Sequence, residues 1–164
     1  MITWQGTVHR LTVISSRSFE TVVAAFEAAI GHPDMSEFQN RISGTNSYVE
    51  MERLIQSDVG KSGFMELARF DLGAILRKEQ AQEKPKIVRF LIGNPLIMKE
   101  MVKHVPDAGS YAPVTVLIDE RPDGVHLSYD LMAGFLDPYG NVDALKVAWD
   151  LDSRVEKLLR EAGG

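Results

Sequence analysis

The 164-residue chain has no cysteine. That absence excludes disulfides, thiolate catalysis and cysteine-ligated zinc, and it is compatible with a reducing cytosol. Histidine is scarce: the four histidines form no H-x-H or H-E-x-x-H spacing, and His9 and His32 stand alone. No metal site is therefore expected, because one would have to be assembled from distant segments. No apolar run approaches the roughly 20 residues that span a bilayer. The start, MITWQGTVHRLTV, lacks a basic leader followed by an apolar core. Neither membrane nor secretory signal is expected, and the expected location is cytoplasmic. Basic residues are not in excess either, with 18 Lys and Arg against 23 Asp and Glu and a net charge of −5. The densest basic stretch, Arg77, Lys78, Lys84, Lys86 and Arg89, is diluted by Glu79 and Glu83. Nothing in it would neutralise a row of phosphates, which argues against a nucleic-acid partner. Repeats and low-complexity segments are also missing.

What remains is ordinary for one globular domain over residues 1–164, with 45% hydrophobic and 25% charged residues. A chain of this length buries roughly 70% of the surface its unfolded form exposes and needs no staples. Residues 2–14 read as a strand. Ser18 is a good N-cap for a helix carrying Phe19, Val22, Val23, Phe26 and Ile30, which Gly31 and Pro33 stop. Residues 34–46 are polar, with a short helix around Met35–Ile42. Ser47 and Glu50 match a capping box at the start of the next helix, which Gly60 to Gly63 end. Residues 64–71 alternate as a strand, Asp71 caps a short helix at Ala74–Glu79, and EQAQEKPK is an exposed connection. Residues 86–92 form a strand and Pro95–His104 a helix, ending near Pro106. Residues 113–120 and 125–132 flank the turn Arg121-Pro122-Asp123-Gly124 as a hairpin. Asp137-Pro138-Tyr139-Gly140 is a second turn, and a last helix runs from Val142 to Ala162. This order predicts an α+β fold, a mainly antiparallel sheet with helices on one face. The glycines form no G-x-G-x-x-G, so a dinucleotide-binding domain is not expected.

Four residues stand out as candidate ligand-binding groups: Asn94, Tyr129, Asp152 and His104. In Ile92-Gly93-Asn94-Pro95 a glycine lets the chain leave a strand. Asn94 can accept an orphan N–H of the next helix, and Pro95 suits its first position. Such a helix start can also hold an anion. In His126-Leu127-Ser128-Tyr129-Asp130, His126, Ser128 and Asp130 share one strand face. They lie roughly 6–7 Å apart, too far for a triad, and read as a polar solvent-side face. Val125, Leu127, Tyr129 and Leu131 read as core, with the Tyr129 hydroxyl in need of a partner. The last helix carries an apolar stripe, Val142, Leu145, Trp149, Val155 and Leu159, and Asp152 falls within it. An inward carboxylate must be hydrogen-bonded or ion-paired. His104 closes the helix after Pro95, where an imidazolium favours the dipole.

These residues support three functional expectations. The first is a non-enzymatic binding or sensing module, with no cofactor, holding a small, partly apolar molecule between sheet and C-terminal helix. Asn94, Tyr129 and Asp152 would then be its polar anchors. The second is an enzyme with Asp152 or His104 as general base and Tyr129 as acid or oxyanion donor. The third is a homodimeric interaction protein in which edge strand 2–14 or 64–71 pairs across a two-fold axis.

The series RFLIGNP, a short helix and APVTVLIDERPDGVHLSY resembles the uncharacterised prokaryotic family catalogued as domain of unknown function 302. Members of that family show a strand ending in Gly-Asn-Pro, then a helix and a Leu-Pro leading into a strand. A glycine-led hairpin strand ending in Tyr and a C-terminal helix follow. Gly93, Asn94, Pro95, Pro113, Gly124 and Tyr129 match, and Phe19 to Val23 is similar to the N-terminal helix pattern. Ile92 stands where an aromatic is usual, Ala112 replaces a leucine, and residues 34–60 are longer than the corresponding region. The likeness covers about residues 86–160. It implies a TATA-box-binding-protein-like β-α-β(4)-α arrangement, often homodimeric, and brings no reaction, cofactor or catalytic residue with it.

Overall fold

The computed structural model describes Met1, residues 6–80 and residues 84–164. The start of the expected strand 2–14 and residues 81–83 of the connection EQAQEKPK, including Glu83, lie outside the described residues. The strand itself, β1, spans Arg10–Ser15. Then come helices α1 (Phe19–Glu27), α2 (Met35–Ser43) and α3 (Tyr48–Asp58), strand β2 (Met65–Asp71), α4 (Gly73–Gln80) and β3 (Ile87–Gly93). Helix α5 (Pro95–Val102), the hairpin β4 (Val114–Arg121) and β5 (Gly124–Asp130), α6 (Met132–Leu136) and α7 (Val142–Gly163) complete the order. The fold class is α+β: one open antiparallel five-stranded sheet in the order β1-β5-β4-β3-β2.

Local chemistry sets most of the helix starts. Ser18 accepts from the Thr21 N–H at 3.2 Å, Asp34 from Glu37 at 2.8 Å and Asn141 from Ala144 at 3.0 Å. The Ser47 box forms with one change. Ser47 accepts from the Glu50 N–H at 3.2 Å, but the Glu50 carboxylate reaches back to the Asn46 N–H, at 2.9 Å, rather than to that of Ser47. Asp71 accepts from the Ala74 N–H at 2.9 Å. Each cap satisfies a donor that the helix itself leaves orphaned.

One sheet face is covered by helices. Phe90, Ile92, Val116, Ile118, Leu127 and Tyr129 point into it and meet Val22 and Phe26 of α1, Met101 of α5, and Leu151, Val155 and Leu159 of α7. Each such side chain, fully buried, contributes roughly 1.5–3 kcal/mol. A second, smaller cluster, Phe38, Ile55 and Met65, seats α2 and α3 beside β2. Segment 32–59 leaves and rejoins the rest of the chain at two glycines in backbone contact. A Cβ on Gly31 would lie 1.8 Å from the Asp58 carbonyl oxygen, and one on Gly60 2.3 Å from the Ile30 carbonyl carbon. Gly31 also bridges Met65 in parallel, donating to the Phe64 carbonyl and accepting from the Glu66 N–H.

Among the described residues, no helix of this core packs on the other sheet face. Across it run the rows Phe70–Arg89–Leu117–Ser128–Thr12 and Ile87–Asp119–His126–Ile14. His126 and Ser128 belong to this outward face, yet both are buried, at 6% and 5% exposure. The expectation that they are solvated is corrected. Thr12 lies against Ser128 at 3.1 Å and Asp123 against the His126 imidazole at 2.9 Å, so neighbouring side chains shield the centre of the open face.

The α7 stripe is also corrected. Trp149 is 55% and Val142 61% exposed, whereas Ala144, Ala148 and Leu151 are buried. The helix turns its small residues inward, which brings its backbone close to α1 and the sheet, and leaves the indole outside. Two elements end earlier than their sequence reading: α5 stops at Val102, before His104, and β5 at Asp130, before residue 132; a 3-10 turn occupies Pro106–Ser110, and α6 takes up Met132 and runs on to Leu136.

Candidate functional site

Two of the four candidate residues meet. Strand alternation turns Tyr129 toward the helices, and α7 presents Asp152 to the same point, where both are buried. The Tyr129 hydroxyl donates to Asp152 Oδ1 at 2.6 Å. The backbone N–H groups of Met132 and Ala133 donate to Oδ1 and Oδ2 at 2.7 and 3.0 Å. These are the first amides of α6, whose N-cap residue, Leu131, offers no side-chain oxygen. Asp152 therefore caps α6 from 20 residues away, and both its oxygens are occupied. Burial first, and then the charge and hydrogen bond of Asp152, push the Tyr129 phenol well above its ordinary range, making it a poorer proton donor.

The other two candidates stand apart. The Asn94 carbonyl accepts from the Leu96 N–H and its amide donates to the Gly63 carbonyl, each at 2.9 Å. Both ends of the side chain are used in joining the start of α5 to the loop before β2. A cavity of about 100 Å³ adjoins it, walled by Ile92, Met101, Pro113 and Leu151. That is room for a few waters at roughly 30 Å³ each, and its walls are almost wholly apolar. His104 is exposed just beyond the end of α5 and lines neither this cavity nor the cleft described next.

A larger cleft, of about 350 Å³, lies at one end of the open sheet face. Its floor comes from four strands: Arg10 of β1, Arg89 and Leu91 of β3, Thr115 of β4, and Ser128 and Asp130 of β5. The segment Ser110–Pro113 and the start of α6 rise beyond the strand ends and form its wall. There the Tyr111 and Phe135 rings stack, with centroids 4.9 Å apart and planes at 12°. The Tyr111 hydroxyl turns away to that of Tyr139, at 3.2 Å. Arg10 forms a two-point pair with Asp130, at 2.7 and 2.8 Å. Arg89 reaches only the Thr115 hydroxyl, at 3.3 Å, and among the described residues no carboxylate pairs with it. Two guanidinium groups against one carboxylate leave the cleft with one positive charge, on a chain whose net charge is −5.

Sequence reading takes Ser128 and Asp130 only as a polar face and Arg89 only as part of a diluted basic stretch, and it passes over Arg10 and Thr115. The available signal was that polar residues alternate with core residues on β1, β3, β4 and β5. Which of them share a cleft depends on strand order, which alternation does not supply.

The family model for the domain of unknown function DUF302 matches residues 39–162. The chain belongs to the DUF302 family. The crystal structure of an uncharacterised conserved DUF302 protein from Bacillus stearothermophilus superposes with a TM-score of 0.66 at 12% identity, covering 93% of this chain and 97% of that one. At that identity the likeness is one of fold alone. No curated protein matches the chain. In this DUF302 chain the Gly-Asn-Pro series is the end of β3, the cap of α5 and its first residue. Among the described residues, no group of three His, Asp or Glu side chains is placed to hold a metal ion, and no helix is long and apolar enough to cross a membrane.

Proposed function

We propose that this DUF302 chain is a small-ligand binding module whose ligand sits in the cleft at the end of the open sheet face. The position between sheet and α7 is less suited to a ligand. There Tyr129 and Asp152 are committed to each other and to α6, and the adjoining cavity offers no free polar anchor. The same commitments weigh against an enzyme built on Asp152, His104 and Tyr129. The observation that carries the reading is Arg89, a guanidinium with no carboxylate partner among the described residues, in a cleft of mixed lining. The volume, about 350 Å³, lies at the lower end of the roughly 300–1,000 Å³ usual for small-molecule sites. The test is a fragment screen read by amide chemical shifts of the labelled protein. Binders are expected to move Arg89, Leu91, Tyr111, Thr115 and Ser128 together. Shifts that cluster elsewhere, or a panel with no binder, would refute the proposal.

A homodimeric role has its own support. The open face exposes Ile14 at 56% and Phe70 at 46%, and Leu91 and Leu117 lie half-buried between them. Apolar side chains on an uncovered sheet face suit a second copy better than water. Strands β1 and β2, the pair expected to mediate edge pairing, are the two edges of the sheet. Light scattering after size-exclusion chromatography tests this, and a monomer at micromolar concentration would count against it.

A further inference from the structure

The chemistry of the cleft narrows the ligand class, on the premise that the cleft is a ligand site at all. A guanidinium recognises oxyanions, either carboxylate or phosphate, through paired N–H donors, and that of Arg89 is exposed at the cleft. The surroundings of Arg89 discriminate between the two. A phosphate dianion is commonly held by the free amides of a helix start. The helix start at this cleft is α6, and its first two amides, Met132 and Ala133, are already taken by Asp152. The second guanidinium, Arg10, is neutralised by Asp130 in a two-point pair. The Ser128 hydroxyl is already against that of Thr12, so the donors left over are those of Arg89 and the hydroxyl of Thr115, which match a single negative charge.

The wall favours a flat ligand body. Tyr111 and Phe135 are stacked, and the Tyr111 hydroxyl is bonded away from the cleft to Tyr139, so the pair contributes aromatic surface rather than polar atoms. Leu91, Pro113 and Met132 extend that apolar surface toward the floor. Aromatic and apolar walls of this kind accept a flat ring by stacking or edge contact.

We propose that the cleft takes a small monoanionic carboxylate with a flat apolar body, the carboxylate on Arg89 and the body against the Tyr111–Phe135 wall. Benzoate and its neutral isostere benzamide are the probes, titrated into the labelled full chain and into Arg89→Gln, whose folding is checked by its amide spectrum. Benzoate is expected to bind about tenfold or more tightly than benzamide, the scale of one charge-assisted interaction. In Arg89→Gln the ratio is expected to fall toward one, and in Arg89→Lys to recover in part. Inorganic phosphate is expected to compete weakly. Equal binding of benzoate and benzamide in the cleft would overturn the carboxylate assignment while leaving the cleft a ligand site. So would phosphate displacing benzoate at equal or tighter affinity. If neither probe nor any fragment moved the cleft resonances, the binding-module reading itself would fail.

Discussion

Replacing Asp152 by alanine removes one acceptor from three donors at once. The Met132 and Ala133 amides lose the cap of α6, a loss worth about 1 kcal/mol. The Tyr129 hydroxyl, 2.6 Å from the carboxylate and buried at 2% exposure, loses its acceptor. Stranding a buried hydroxyl costs about 1–3 kcal/mol. Together the expected loss is about 3 kcal/mol, a large share of the roughly 5–15 kcal/mol that stabilises a domain. The assay is urea unfolding, where the midpoint should fall with an unchanged slope. In a thermal melt the same loss corresponds to a drop of about 6–12 °C. Tyr129→Phe alone should cost about 1 kcal/mol, since Asp152 keeps its two amide donors. The double variant should lose less than the sum of the two singles, by about 1 kcal/mol, because the Tyr129–Asp152 bond can be lost only once. A loss under about 1 kcal/mol for Asp152→Ala, or strictly additive singles, would refute the assignment of Asp152 as a structural cap.

Asn94→Ala should destabilise the fold by about 1–2 kcal/mol in the same unfolding assay, because the α5 cap and the bond to the Gly63 carbonyl go together. Alkaline pH should also destabilise the protein through Tyr129. Its phenol is raised above the ordinary value of 10.0, so above about pH 10 the unfolded chain gives up this proton while the folded one keeps it. Stability then falls by up to about 1.4 kcal/mol per pH unit from this group alone. The difference in slope between the native protein and Tyr129→Phe isolates that contribution from lysines titrating nearby. Gly31→Ala should lose about 1–3 kcal/mol or fail to fold, since the new methyl meets the Asp58 backbone rather than a movable side chain. A calorimetric midpoint equal to that of the native protein would show that the crossing can open without cost.

What could be read from the sequence follows the range of the interactions involved. Ser18, Ser47, Asp71 and Asn94 each bond a backbone N–H within two or three residues of themselves, and all four caps were legible. Helix α6 was not. Its five residues, MAGFL, carry no local cap, and the acid that starts it sits on another helix. Asp152 was recognised as an inward carboxylate from its place on α7, but its partners were not. Trp149 misled because a hydropathy pattern ranks indole above alanine, whereas close helix packing prefers Ala144 and Ala148. The Tyr129 hydroxyl was known to need a partner, and that requirement is met at the spot where alternation put the ring. The cleft was beyond reach, because Arg10, Arg89 and Thr115 become neighbours only through the order β1-β5-β4-β3.

The contact between Gly31 and Gly60 bears on how the length of this chain can vary. Residues 32–59 depart from one point and come back to it, so the excursion forms a closed loop rather than a link between distant places. Inserting or deleting residues within it changes the closure entropy only slowly with length and leaves the end of α1 and the entry to β2 where they are. The direct demand on such a change is on the hydrophobic seat at Phe38, Ile55 and Met65. A shortened excursion would have to leave Met65 covered, and a longer one would have only to preserve the two glycines at its neck.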